Sequence, residues 1–204
     1  MRNRQHPTRE RLVEVVVELL ATKAPEDITV DEVLSTSGIS KGSLYHHFVD
    51  FHDLIDVALA QRFAEYVDVG IEQIVALIHS VKTEEEFWDG IDQVTRESQA
   101  SANRANRANR LQILARATRS DSFRELLSEQ QVRLTDAYAD LIREGQIRRW
   151  LSNQFDAQAA AVLIQAYTLG RTIDDISDPA MDPEKWITLI NRLVRRTLGA
   201  DELS

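Results

Sequence analysis

Eight residues near the N-terminus have the types and the spacing needed to contact a phosphate backbone and the edges of bases. They are Thr29, Ser40, Lys41, Gly42, Ser43, Tyr45, His46 and His47. Amine, hydroxyl and imidazole groups can donate hydrogen bonds to phosphates or bases, and glycine permits close approach. The segment 33–49 contains no Asp or Glu, although the chain has a formal net charge of −9. These features favour a nucleic-acid surface; the alternative is an ordinary helical hairpin with a solvated face.

Residues for catalysis or metal binding are not grouped in the sequence. The chain has no cysteine, no G-x-S-x-G segment and no H-E-x-x-H segment, and His6 and His79 stand alone. His46 and His47 are adjacent, so on a helix their side chains point to different sides and do not share a metal ion readily. We therefore predict no catalytic residue, no metal site and no cofactor, and we do not expect an enzyme.

The spacing of the eight residues is typical of two helices joined by a sharp turn. Thr29 predicts the N-cap of the first helix, because its hydroxyl can accept a hydrogen bond from an otherwise unpaired backbone N–H. Gly38 predicts its end in a left-handed conformation, and Ser40 predicts the cap of the second helix. Three apolar residues are expected to hold the pair together: Ile39, Leu44 and Phe48.

The same rules predict helix ends further along the chain. Thr83 is expected to begin a helix whose first turn carries Glu84 to Glu86. Asp121 is expected to cap a helix from about 122 to 144, which Gly145 would close.

The run from Thr8 to about Ala58 resembles the DNA-binding domain of the tetracycline-repressor (TetR) family of bacterial transcriptional regulators. The resemblance rests on an amphipathic first helix, on TVDEV from Thr29, and on GISKGSLYHHF from Gly38. It implies an all-α fold of about nine helices, with a three-helix helix-turn-helix domain at residues 1–52. A long linking helix from about 53 to 79 would open a larger domain, 53–204, for effector binding and dimerisation.

The resemblance also assigns roles to individual residues. It implies phosphate contacts for Thr29, Tyr45 and His47 and base contacts for Lys41, Gly42 and Ser43, with His46 in either role and Ser40 as a further hydroxyl donor. Residues 1–52 hold six basic and eight acidic residues, so we expect modest general attraction to DNA. Family members often carry lysine at the start of the fourth helix, where this chain has Phe51 followed by His52. An N-terminal arm with Arg2 and Arg4 either follows a groove of DNA or frays.

Aromatic residues in the C-terminal part are candidates for an effector cavity, and each is also a candidate for the ordinary core. The predicted effector-binding residues are Trp88, Phe123, Tyr138 and Tyr167, with Phe87 and Trp150 as further candidates. The effector is expected to be a small molecule of unknown identity.

The last two predicted helices, from about 155 to 170 and from 184 to 198, carry apolar faces that either cover their own body or pair with a second copy. The predicted dimerisation residues are Ala159, Val162, Leu163, Ala166, Trp186, Leu189, Ile190, Leu193 and Val194. The resemblance favours a homodimer, which would bind a pseudo-palindromic operator as a repressor and leave it when the effector binds. The alternative function is a helical ligand-binding or scaffold protein with weakened or lost DNA binding.

The repeat ANRANRANR places Arg104, Arg107 and Arg110 three residues apart along one helix. Such a basic stripe binds DNA or an anionic ligand, or it is a solvated face balanced by neighbouring acids, and we favour the solvated face. The acids around Asp174 and Asp175 are interpreted as caps and solvated loop residues rather than a cation site.

Composition limits where the protein works. No apolar run approaches the roughly 20 residues that span a bilayer, and the N-terminus lacks an apolar signal region. The absence of cysteine suits a reducing compartment. We expect a soluble cytoplasmic protein with no membrane partner.

Overall fold

Ten α-helices lie within residues 7–200, the part of the chain that this computed structural model describes. They are α1 (Pro7–Leu19), α2 (Val30–Ser37), α3 (Lys41–His47), α4 (Phe51–Ser80), α5 (Glu84–Gln99), α6 (Arg104–Ala117), α7 (Asp121–Ile147), α8 (Ala157–Gly170), α9 (Thr172–Asp175) and α10 (Pro183–Leu198). The helix α9 is a single turn, and no β-strand occurs in the described residues. The predicted all-α fold is confirmed. The arm with Arg2 and Arg4 lies outside the described residues, and no helix within them is long and apolar enough to cross a membrane.

Helix starts follow the capping residues that the sequence predicts, with one exception. Thr29 and Ser40 accept hydrogen bonds from backbone N–H groups at the starts of α2 and α3, and Thr83 forms a reciprocal capping box with Glu86 at the start of α5. The predicted cap of α7 at Asp121 is wrong. Ser120 caps this helix instead, because its hydroxyl accepts from the Phe123 N–H at 3.2 Å.

The helix α7 also continues past Gly145, where the sequence predicted its end. Gly145 is buried inside the helix, and a Cβ atom added to it would lie 2.8 Å from the Leu151 side chain. The backbone N–H groups of Trp150 and Leu151 donate to the Gly145 carbonyl and hold the returning chain against α7. A side chain at position 145 would collide with this returning chain, so the position requires glycine.

Two hydrophobic clusters form the interior, and α4 belongs to both. The first joins α1, α2 and α3 to the N-terminal half of α4 and continues to Ile113 on α6 and Phe123 on α7. The second contains Phe87, Trp88 and Leu198 around the C-terminal half of α4. At about 1.5 Å per residue α4 is about 45 Å long. Because the first cluster runs across residue 52, the helix-turn-helix is fixed to the body by continuous apolar packing, and the division at residue 52 stays a prediction.

Two arginines of the triplet repeat are buried, so the interpretation as a solvated face was wrong for them. Arg107 is 3% exposed, and its guanidinium forms a bidentate pair with Asp175 at 2.7 and 2.8 Å. Arg110 is 6% exposed and lies over the Tyr66 ring. Arg104, the first of the three, stays exposed. The repeat therefore begins α6 with one surface arginine and two interior ones.

The acidic residues between α8 and α10 also divide into loop residues and one interior residue. Asp182 caps α10 and Asp174 accepts from the Met181 N–H, as expected for loop acids. Asp175 is 9% exposed and serves as the interior partner of Arg107, which the interpretation as a solvated residue missed.

Candidate nucleic-acid interface and effector cavity

The turn between α2 and α3 is built by a glycine and two buried anchors. Gly38 has φ 70° and ψ 14°, the left-handed conformation that L side chains resist. Beyond it, Leu44 is fully buried and Phe48 is 2% exposed. The guanidinium carbon of Arg9 on α1 lies 5.0 Å from the centre of the Phe48 ring. These contacts fix the orientation of α3 against α1.

Replacing Gly38 with alanine is expected to lower the free energy of unfolding by about 1–2 kcal/mol, because nothing crowds the added Cβ and the cost is that of the left-handed backbone. Gly42→Ala is the matched control, since its added Cβ also meets open space but the residue lies within α3. The control should leave stability unchanged or raise it slightly. Urea unfolding measures both, and equal effects would contradict a special conformation at Gly38.

The eight predicted DNA-contacting residues lie at or near the surface of this unit and are called the reading surface below. Thr29, Ser40, Lys41, Gly42, Tyr45 and His46 are exposed, whereas Ser43 and His47 are half-buried. The Ser40 and Ser43 hydroxyls lie 3.0 Å apart, and Ser40 also accepts the Ser43 N–H. The rings of His46 and His47 meet edge to face with centroids 5.1 Å apart. The surface offers hydroxyl, amine and imidazole groups beside an open backbone at Gly42.

Lys41 is the cation of this surface that remains available for an anionic partner. It forms no ion pair within the described residues. Lys23, by contrast, lies 2.5 Å from the Glu32 carboxylate, and Arg11 pairs with acids of its own helix. A partner that binds Lys41 therefore does not have to displace a carboxylate first.

The start of α4 explains what replaces the lysine that the resemblance leads one to expect. Phe51 is half-buried and packs against the first hydrophobic cluster, while Asp50 caps the helix through the Asp53 N–H at 2.8 Å. His52, the next residue, is exposed. Phe51 thus contributes to the interior and leaves His52 as the polar side chain at this end of α4.

An apolar cavity of about 60 Å³ lies in the body between α4, α5, α7, α8 and α10. Its walls include Trp88, Tyr138 and Tyr167, as predicted, together with Phe87 from the further candidates. Phe123 does not line it, and this expectation is corrected: Phe123 is fully buried in the first hydrophobic cluster. Burial raises the pKa of both Tyr138 and Tyr167, so these hydroxyls stay protonated and uncharged at neutral pH.

A second, more polar cavity of about 250 Å³ adjoins the first. The two share wall residues on four helices: Gly70, Gln73, Val94, Ser98, Tyr138 and Thr168. The polar cavity adds Asn103, Asn106 and the arginines Arg107 and Arg110 of the repeat. The sequence alone does not place this repeat at the predicted cavity, because the walls come from residues far apart in the chain.

The predicted dimerisation residues divide into an exposed set and an interior set. Ala159, Val162, Leu163 and Ala166 on α8 and Leu189 and Leu193 on α10 are exposed, and we call them the apolar face. The others are corrected, because they face the body of their own chain. Ile190 is 5% exposed, Val194 lines the apolar cavity, and the Trp186 indole N–H donates to Gln99 at 2.8 Å. Ile173 and Ile176, about 80% exposed on and after α9, were not predicted.

Two family models match the chain. The model for bacterial regulatory proteins of the tetR family matches residues 12–56. The model for the C-terminal part of BetI-type transcriptional repressors matches residues 84–199, which is more than half of the chain.

Individual relatives extend over nearly the whole length. The chain is 24% identical over 187 residues to the HTH-type transcriptional regulator UidR of Escherichia coli strain K12, which covers 85% of this chain and 84% of UidR. The structure of Salmonella enterica GusR has a TM-score of 0.64 and 20% identity, covering 97% of this chain and 98% of GusR. A transcriptional regulator from Saccharomonospora viridis in complex with choline has a TM-score of 0.68 and 19% identity, with coverages of 96% and 99%. The structural similarities show a shared fold.

Proposed function

This chain belongs to the TetR family of bacterial transcriptional regulators, and we propose that it is a homodimeric repressor that a small-molecule effector releases from a palindromic operator. Residues 1–52 would form the DNA-binding domain and residues 53–204 the effector-binding and dimerisation domain. The observation that carries this proposal is the reading surface, which lies at or near the protein surface, contains no acid and is held by Gly38, Leu44 and Phe48.

The residues of the reading surface take the roles that their chemistry allows. Lys41 donates to guanine O6 or N7 in the major groove, and Ser43 donates to or accepts from several bases. Gly42 has no side chain, so the backbone of α3 can approach the bases. The polar tips of Thr29, Tyr45 and His47 contact phosphates and set the position of α3 in the groove.

An effector would act through α4, whose two ends reach the two functional sites. Gly70, Ile74 and Leu77 of α4 line the apolar cavity, and the N-terminal half of α4 packs against α1. The cavity is narrow in this structure, so a larger ligand must move its walls, including α4. Such a ligand weakens DNA binding only to the extent that it binds the displaced geometry more tightly.

Lys41→Ala is expected to weaken binding to a DNA fragment flanking the protein's own gene by about tenfold and to reduce the salt dependence of binding. Tyr45→Phe should weaken it severalfold, because one phosphate contact is lost. Fluorescence anisotropy at about 50 and about 200 mM salt measures both effects. Lys82→Ala, which removes an exposed lysine before α5, is the control and should bind as the unmodified protein does.

Two features favour a second candidate function, a ligand-binding or scaffold protein without DNA binding. Phe51 is half-buried against the first hydrophobic cluster where the resemblance leads one to expect a lysine contact, and residues 1–52 carry more acids than bases. This alternative predicts that no fragment of flanking DNA binds more tightly than random DNA at either salt concentration. Normal DNA binding by both Lys41→Ala and Tyr45→Phe would show that the reading surface is assigned wrongly.

A further inference from the structure

Arg110 is an interior cation without a carboxylate partner. Arg110 is 6% exposed and forms no ion pair within the described residues. One of its five N–H donors is used, because Nη1 donates to the Tyr66 hydroxyl at 2.6 Å. Its Nε atom is fully buried and has no hydrogen-bond partner. Buried cations are normally paired, so this site is electrostatically incomplete.

The neighbouring arginine shows what a completed site looks like in the same helix. Arg107 has a bidentate carboxylate, Asp175, and it also donates to the carbonyl oxygens of Ser98 and Ala100. The two residues come from successive copies of the same triplet. The difference between them is therefore in their partners: both line the polar cavity, but Arg107 is paired with Asp175 whereas no carboxylate pairs with Arg110 within the described residues.

The surroundings of Arg110 combine a place for an anion with a place for an apolar group. Tyr138 lines both cavities, so the space beside Arg110 adjoins the space beside Phe87 and Trp88. The guanidinium carbon of Arg110 lies 4.2 Å from the Tyr66 ring centroid, which holds its plane against α4. Hydroxyl and amide side chains line the polar cavity. The one carboxylate among its lining residues, Glu97, is exposed to solvent and accepts a hydrogen bond from Gln93.

We propose that the effector is an amphipathic organic carboxylate, whose anionic group binds Arg110 while its apolar part fills the cavity beside Phe87 and Trp88. This inference rests on the proposed function in placing the effector here, and it adds the chemical class. A carboxylate satisfies the unpartnered Nε and one further N–H in the forked geometry that guanidinium favours. A quaternary ammonium ion, such as the choline bound to the regulator from Saccharomonospora viridis, would place a second cation beside Arg110.

Three probes of equal length test the class: 6-phenylhexanoate, its neutral amide and the corresponding primary amine, each titrated calorimetrically into the full chain without DNA. We expect the carboxylate to bind about ten- to a hundredfold more tightly than the amide, as a charge-assisted hydrogen-bonded pair provides. In Arg110→Met the affinity for the carboxylate should fall to that for the amide, while the affinity for the amide stays within about threefold of its value in the unmodified protein. Arg104→Gln, which removes the exposed arginine of the same repeat, is the matched control and should keep the preference.

The outcomes separate a ligand site from a structural role. If Arg110 only supports Tyr66, Arg110→Met will weaken all three probes equally, or the carboxylate preference will survive the substitution; either result overturns the proposal. So does equal binding of carboxylate and amide, preferential binding of the amine or of choline, or failure of the carboxylate to bind at millimolar concentration. Arg110→Lys keeps a cation and should keep part of the preference, which preserves the test if Arg110→Met folds poorly. Because no DNA is present, these results are independent of whether the reading surface binds an operator.

Discussion

Replacing Arg107 with leucine is expected to lower the free energy of unfolding by about 3–5 kcal/mol, the largest stability effect that we predict for a single side chain. The substitution leaves Asp175 in the interior without the bidentate partner that now lies at 2.7 and 2.8 Å. It also removes the donor that satisfies the carbonyl oxygens of Ser98 and Ala100 where α5 ends. Urea unfolding followed by circular dichroism measures the loss.

A second substitution tests the electrostatic reason for this loss. Asp175→Asn in the Arg107→Leu background removes a charge that has lost its bidentate partner and keeps only the more distant Arg104 at 3.7 Å and Arg171 at 3.9 Å, so the double variant should be more stable than Arg107→Leu alone. Arg171 lies 3.9 Å from Asp175 but keeps Asp174 at 3.5 Å, so the second change does not isolate another cation. A double variant that is less stable than Arg107→Leu would show that lost packing, rather than the bare carboxylate, causes the effect.

The ion pair between Arg107 and Asp175 makes the loss of stability in Arg107→Leu depend on pH. The hydrogen bonds from Arg107 lower the pKa of Asp175, aided by the charges of Arg107, Arg104 and Arg171 and opposed by burial. A lowered pKa means that the pair stabilises the fold fully above the pKa of an unfolded Asp, about 4, and that this contribution is lost as the pH falls through the lower folded value. The stability difference between the unmodified protein and Arg107→Leu should therefore be larger at about pH 7 than at about pH 3.

Local features of this fold could be predicted from the sequence because their causes are local. Thr29, Gly38, Ser40 and Thr83 act on backbone groups within a few residues, and the structure confirms each of them. Asp121 shows the limit of this reasoning, since Ser120 is an equally good cap one residue earlier. Gly145 resembles a helix end in sequence but is required by Leu151, a contact that appears only when the chain folds back.

Partners far apart in the sequence account for what was missed. Arg107 and Arg110 have the same sequence neighbours, and only Asp175 and Tyr66, on other helices, decide their environments. Phe123 has the aromatic character of a cavity residue, yet its position on α7 faces the first hydrophobic cluster. The roles of the reading surface remain predictions, although its exposure agrees with them.

The apolar face is the feature that most strongly supports the proposed homodimer. Seven of the fifteen large hydrophobic side chains exposed in the described residues fall between residues 162 and 193. On α8, Val162 and Leu163 are 56% and 50% exposed, and on α10, Leu189 and Leu193 are 48% and 51% exposed. A concentration of exposed apolar side chains of this kind normally marks an interface. The small residues Ala159 and Ala166 on α8 would let a second copy approach closely.

The double variant Leu163→Glu/Leu193→Glu is therefore expected to be monomeric and to bind operator DNA at least about a hundredfold more weakly, because each reading surface then binds its half-site alone. Folding should be retained, since both side chains are already exposed in the isolated chain. Analytical ultracentrifugation and fluorescence anisotropy measure the two effects, with Val132→Glu, a 55% exposed position on α7, as the control. A monomer that keeps full affinity would separate DNA binding from pairing, whereas a variant that stays dimeric would place the interface elsewhere. Loss of both together is the result expected if two coupled reading surfaces bind the two half-sites of one operator.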